Sequence, residues 1–166
     1  MEPISQQPIS IATSVLKKLL MTEIGKQKIP FKDFSVSTDH PNNISDQGPA
    51  ILNLYPFLIN EDIVLKNAPP IREKDSRQGY ILNVHFLLSA TGDYAELTPH
   101  RLLDSALKII KASPVLDLGK DNFTLQSMLA AIDIEEASMI WSTLKCPHRL
   151  NIVVLVKIVN KECLRL

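Results

Sequence analysis

The sequence has few of the residues that mark several functional classes. Its 166 residues include five glycines and two cysteines. Gly92 and Gly119 are isolated, so the chain has neither a phosphate-binding loop nor a dinucleotide-binding fingerprint. Cys146 and Cys163 are too few for the disulfide framework of a small secreted domain, which favours free thiols in a reducing compartment.

The chain also lacks a charge excess and a long apolar run. Eighteen basic residues balance eighteen acidic ones, so no global field attracts nucleic acid or an anionic membrane. The apolar runs are far shorter than the roughly twenty residues needed to cross a bilayer, and Glu2 and Pro3 stand where a signal peptide would carry positive charge. We therefore expect a soluble protein without a nucleic-acid partner and without direct membrane insertion.

Helical periodicity and end signals predict helices in the first and middle parts of the chain. The first helix begins near Pro8 and would end at a left-handed cap on Gly25. The second would begin with Thr98 as its cap, before a proline in the first helical position. It would end at Ser113, because a residue that precedes proline avoids the helical region.

A third helix follows near the end of the chain. Asp133 and Glu136 have the spacing of a capping box, and the helix would extend to Cys146-Pro147. Trp141 lies on its apolar stripe, so we expect this side chain in the core rather than in a ligand site.

Four apolar segments have the pattern of strands, at residues 31–38, 50–59, 80–88 and 150–159. Residues 123–130 fit either a strand or a helix, and we favour a strand. Pro56 lies inside the second, which predicts a strand that is at a sheet edge or bulged. Residues 117–121 are expected to form a turn.

The order of these elements predicts an α+β fold over a single domain, residues 1–166. We expect a mixed or mainly antiparallel sheet with about three helices packed mainly on one face, and parallel pairing across the helix at Pro99 is plausible. Residues 60–79 are polar and charged around a proline pair, which is typical of a long binding loop or of local disorder.

No group of residues has the spacing of a catalytic or metal site, so we predict no catalytic residue, no cofactor and no metal. The four histidines are scattered along the chain, and Cys146 with His148 lacks the second pair of ligands that a zinc site requires. Asp93 and Glu96 precede the second helix near His100 and leave one alternative open. That alternative is a small enzyme or ligand-binding domain with a site at residues 92–100, although the helix dipole alone accounts for acidic residues there.

Several sequence blocks, in one order, resemble a known family. They are ILNLY at 51–55 with LKN at 65–67, YILNVHFLLSA at 80–90 with GDYAELTPHRLLD at 92–104 and SPVL at 113–116, and EEASMIWSTL at 135–144 with PHRLN at 147–151. The chain resembles the N-terminal domain of tail terminator, or cap, proteins of contractile injection systems, which are phage-tail-like particles.

The resemblance implies a structural role without enzyme activity. Six copies would form a ring at the distal end of the inner tube, contact the last layer of contractile sheath and end the polymerisation of both. The partners would be further copies of the chain, the inner tube protein and the sheath protein. Assembly would occur in the cytoplasm, and the particle would then be released or anchored to a membrane. Because the chain stops soon after its last strand, we expect a compact cap without an added C-terminal domain.

A ring of identical subunits needs two different contact patches on each subunit, because its contacts are heterologous. One candidate is the charged loop, where mixed charges could set the register of a contact. Another is the edge of the strand that contains Pro56, where a neighbouring strand could add through main-chain hydrogen bonds. The alternatives are an ordinary solvated loop and a proline-protected edge. The candidate residues are Leu52, Leu54, Phe57 and Ile59 on the strand and Arg72, Glu73, Lys74, Asp75 and Arg77 in the loop.

Overall fold

The computed structural model describes residues 7–27, 33–62, 81–119 and 123–160. These ranges contain three α-helices, one 3-10 turn and six strands. In chain order they are α1 (Pro8–Lys26), β1 (Phe34–Ser37), the 3-10 turn (Pro41–Asn43), β2 (Ala50–Glu61), β3 (Ile81–Thr91), α2 (Thr98–Ala112), β4 (Val115–Leu118), β5 (Phe123–Ala130), α3 (Ile134–Thr143) and β6 (Asn151–Asn160). None of the three described helices is long and apolar enough to span a bilayer.

The six strands form one mixed sheet in the order β1-β2-β3-β6-β5-β4. Only the β1–β2 pair is parallel, and the other four pairs among the described strands are antiparallel. The predicted α+β fold with a mixed sheet is therefore confirmed. The expected parallel pairing across the helix at Pro99 is wrong, because α2 carries the chain from the centre of the sheet to its far edge, where β4 pairs with β5 instead.

The sheet is covered on both faces, with the larger core under α1 and α2. Alternation along β3 separates the two sides, since successive side chains of a strand point to opposite faces. Phe86 and Leu88 are fully buried in the cluster that includes both helices. Leu87, between them, packs instead with Trp141 of α3 and Val153 of β6. Two of the three helices thus share one face, as predicted.

Two predicted helix ends are wrong. Gly25 lies inside α1, which ends at Lys26 with Gln27 as its C-cap. Thr98 does not cap α2, because Leu97 occupies the cap position with φ of 57° and no side chain there bonds to a free helical amide. The Thr98 amide instead donates to the backbone carbonyl of Asp93 at 3.0 Å, so the preceding turn supplies its acceptor.

Three other boundaries differ from those predicted. The turn expected at residues 117–121 begins later, since Val115–Leu118 forms β4 against β5. The third helix ends at Thr143, before Cys146-Pro147, and Lys145 follows with φ of 53°. Strand β2 continues to Glu61 and so includes the first two residues of the expected loop at 60–79. Residues 63–79 of that loop lie outside the described residues.

Candidate partner-binding surface

Among the described residues, strand β2 has a free edge along its second half. The four residues of β1 pair only with Ala50–Asn53, and no other described strand pairs with residues 54–61 on that side. The register with β3 shifts between Pro56 and Leu58, which confirms the bulge predicted at the proline. Proline has no amide hydrogen and a bulge twists the strand, and both features restrict which segment can add to an open edge.

The structure places the predicted strand residues in different environments. Leu52 and Leu54 are 0% and 1% exposed and belong to the core. The edge expected at Leu52 is absent, because this residue pairs with both β1 and β3. Phe57 is half-buried, and Ile59 is 45% exposed on the free half of the strand. Contact of these two residues with a partner stays a prediction.

The remaining residues of the predicted interface belong to the charged loop. Arg72, Glu73, Lys74, Asp75 and Arg77 all lie outside the described residues. Their proposed contact with a neighbouring subunit therefore also stays a prediction.

A cleft of about 670 Å³ lies between α3 and the sheet, beside the free edge of β2. Phe57 and Leu58 of β2 and His85 of β3 line it, and the rings of Phe57 and His85 are 6.1 Å apart. Met139 and Ile140 line it from α3. No sequence pattern predicted this cleft. The sequence signal that could have found it is Met139, an apolar residue outside the buried stripe of α3 that lines the cleft and is 64% exposed.

Helix α3 begins with a complete capping box, as predicted. The amide of Glu136 donates to Asp133 Oδ1 at 2.8 Å, and the amide of Asp133 donates to Glu136 Oε2 at 3.1 Å. Two otherwise free amides are thereby satisfied. Together with Glu135, these two residues place three carboxylates at the start of α3. One of the three, Glu136, also lines the cleft.

Trp141 holds α3 on the sheet. Its side chain is 2% exposed and packs in a cluster with Leu87, Leu144 and Val153. Its ring lies 5.8 Å from that of His148 in an edge-on arrangement. The predicted core position of Trp141 is confirmed.

Arg149 joins the start of β6 to the loop between β1 and β2. Its side chain is 4% exposed, and each of its nitrogens is used. Nη1 donates to the carbonyl of Pro41 and Nη2 to the carbonyl of Ile44, both at 2.8 Å, while Nε donates to Asp46 Oδ1 at 2.6 Å. A planar guanidinium supplies donors in this fixed fork, which an ammonium group cannot reproduce.

The structure gives little support to thiol chemistry at Cys146. Burial raises the pKa of the Cys146 thiol, and the opposing effect of the Arg149 charge on that pKa is smaller. A raised pKa leaves less thiolate at neutral pH, and the thiolate is the reactive form. Within the described ranges, no group of three or more His, Cys, Asp or Glu side chains could hold a metal ion.

The alternative site at residues 92–100 is a tightly built turn. The Asp93 carboxylate accepts a hydrogen bond from the amide of Ala95 at 2.9 Å, so it serves the turn itself. Gly92 has φ of 139°, and a Cβ there would lie 3.0 Å from Cγ2 of Thr98, so this position requires glycine. Glu96 and His100 are exposed, with His100 edge-on to Tyr94 at 6.5 Å. These contacts account for the turn without a ligand.

Comparison with known proteins identifies a family and a shared fold. The family described as the Pvc16 N-terminal domain matches residues 12–163. The sheath/tube terminator of an extracellular contractile injection system (PVC), in its extended state, has a TM-score of 0.68 and 14% sequence identity, covering 95% of this chain and 57% of that chain. The tube-terminating cap of the anti-feeding prophage (AFP) has a TM-score of 0.63 and 14% identity, covering 93% of this chain and 55% of that chain. The chain thus spans little more than half the length of these two proteins. No curated protein sequence matches it significantly.

Proposed function

Because this chain belongs to the Pvc16 N-terminal domain family, we propose that it is a structural cap, or tail terminator, of a contractile injection system. The observation that carries the proposal is the family match over residues 12–163. The shared fold with a sheath/tube terminator and a tube-terminating cap supports it. In this role the protein binds other proteins and performs no catalytic step, and it is a component of a phage-tail-like particle.

In the proposed mechanism, several copies form a ring, expected to be a hexamer, at the distal end of the inner tube. The ring contacts the last layer of sheath, links sheath to tube and ends the growth of both. Two features of the described residues are available for these contacts, namely the free half of β2 and the cleft beside α3. An open strand edge suits the addition of an extended partner segment, because main-chain hydrogen bonds supply the affinity.

The proposed function is tested by assembling tube and sheath proteins of the same particle with and without the full chain. With the chain present, we expect a ring at one end of each tube in negative-stain images and a narrower distribution of tube lengths. Without it, tubes and sheaths should continue to grow. A protein that remains monomeric and binds neither tube nor sheath would contradict the proposal.

Charge on the free edge of β2 should weaken binding to tube or sheath. We expect Ile59→Lys to reduce co-sedimentation affinity by about tenfold, equivalent to about 1.4 kcal/mol, because a lysine on an open edge opposes strand addition. Stability should change by less than about 0.5 kcal/mol, since Ile59 is 45% exposed. The matched control is Val115→Lys on β4, the opposite edge of the sheet, where the side chain is 57% exposed. If Ile59→Lys and Val115→Lys reduce the affinity for tube or sheath equally, the β2 edge has no specific role in binding.

A further inference from the structure

The two helical faces of the molecule carry opposite charge. On one face, α1 and α2 carry six basic residues and two acidic ones. The basic residues are Lys17, Lys18, Lys26, Arg101, Lys108 and Lys111, and the acidic ones are Glu23 and Asp104. All six basic residues except the half-buried Lys17 are exposed. This face, named here the basic face, is therefore strongly positive although the chain as a whole is neutral.

The opposite face of the sheet is acidic around α3. Asp133, Glu135 and Glu136 are exposed at the start of this helix, and residues 131–144 contain no lysine or arginine. We name α3 with its cleft the acidic face. The sheet lies between the two faces, since α1 and α2 pack in one core cluster and α3 in the other.

Each face also exposes an apolar group beside its charges. On the basic face, Met21 is 46% exposed and follows Lys17 and Lys18 by four and three residues, which places the three side chains on one side of α1. On the acidic face, Met139 is 64% exposed at the wall of the cleft. The two surfaces are thus complementary in charge and both offer apolar area to bury.

We propose that these two faces meet between copies of this chain, so that Lys17, Lys18 and Met21 of one copy dock on the acidic face of the next. The faces lie on opposite sides of the sheet, so the contact is heterologous and runs head to tail, as a closed ring requires. Charge complementarity favours this pairing over contacts between two basic or two acidic faces. The inference rests on the proposed function, because it names which surfaces build the ring of the cap.

The experiment compares the full wild-type chain with Lys18→Glu, Glu135→Lys and the variant that carries both changes. Association is measured by sedimentation velocity at low and high salt. Ring occupancy at tube ends is counted in negative-stain images, so that the comparison also holds for a chain that is monomeric in free solution. Glu135 makes no capping-box hydrogen bond and Lys18 is exposed, so both single variants should fold normally by circular dichroism.

We expect each single reversal to weaken association by about tenfold or more and the double reversal to restore most of it, because the exchanged charges again attract. High salt should weaken wild-type association, since exposed charges are screened. The matched control is Glu96→Lys, the same substitution in the exposed turn before α2, which should not weaken association.

Two results would overturn the inference: single variants that associate like wild type, or a double variant no better than the singles. If the single variants form rings and cap tubes normally, this inference fails while the proposed function stands. If the wild-type chain neither associates nor binds tube or sheath, the proposed function itself fails.

Discussion

Replacing Arg149 with methionine is expected to lower the free energy of unfolding by about 3–5 kcal/mol, because a buried, fully bonded charge cannot be removed without leaving its partners unsatisfied. The change leaves the carbonyls of Pro41 and Ile44 without their donor in a buried environment. A buried polar group without a partner costs about 1–3 kcal/mol. Arg149→Lys should lower the free energy of unfolding by most of the same amount, because one ammonium group cannot donate to three divergent acceptors.

The measurement is urea unfolding, followed by the fluorescence of Trp141, the single tryptophan of the chain. The matched control is Asp46→Asn, for which we expect a loss of about 1 kcal/mol, since the Asp46 side chain is 46% exposed and its pairing is partly screened. In Arg149→Met, the backbone amides of the 3-10 turn should exchange hydrogen faster than those of the sheet. If Arg149→Met lowers the free energy of unfolding no more than Asp46→Asn does, the guanidinium does not hold the loop between β1 and β2.

Replacing Trp141 with alanine is expected to cost about 3–5 kcal/mol and to detach α3 from the sheet. Trp141 is 2% exposed, and it is the largest side chain of the cluster that holds this ten-residue helix against Leu87 and Val153. A helix this short is not stable on its own, so it depends on that packing. Without the packing of Trp141, α3 no longer forms the wall of the cleft. The affinity for tube or sheath should therefore fall together with the free energy of unfolding.

Met139→Ala is the matched control on the same helix. Met139 is 64% exposed, so stability should change by less than about 0.5 kcal/mol. Circular dichroism during thermal unfolding serves both variants, because Trp141→Ala removes the fluorescent group. Equal melting temperatures for the two variants would contradict the anchoring role of Trp141.

Local sequence signals predicted much of the fold because they act over a few residues. The capping box of Asp133 and Glu136 and the bulge at Pro56 are of this kind, and both are confirmed. Strand β4 was not predicted, since its four residues become a strand only through pairing with β5. The cap of α2 was predicted wrongly, because the acceptor for the Thr98 amide is a backbone carbonyl in the preceding turn.

The candidate surface was predicted only in part, for a related reason. Pro56 indicated an edge or a bulge in β2, but no local signal shows that β1 covers the first four residues of the strand. The cleft also joins β2 and α3, which are far apart in the sequence. Arg149 lies in one of the sequence blocks that carry the resemblance, yet its contacts include a hydrogen bond to Pro41, which lies 108 positions earlier in the chain.

The position of β6 has a consequence for folding during synthesis. Of the described strands it is made last, yet it lies in the middle of the sheet, between β3 and β5. Until residues 151–160 leave the ribosome, the sheet consists of two unconnected parts, and Val84 and Phe86, buried in the folded protein, lack their partners Val156 and Val154. The core therefore closes only once β6 has emerged, in a step that depends on long-range contacts, which are slow to form.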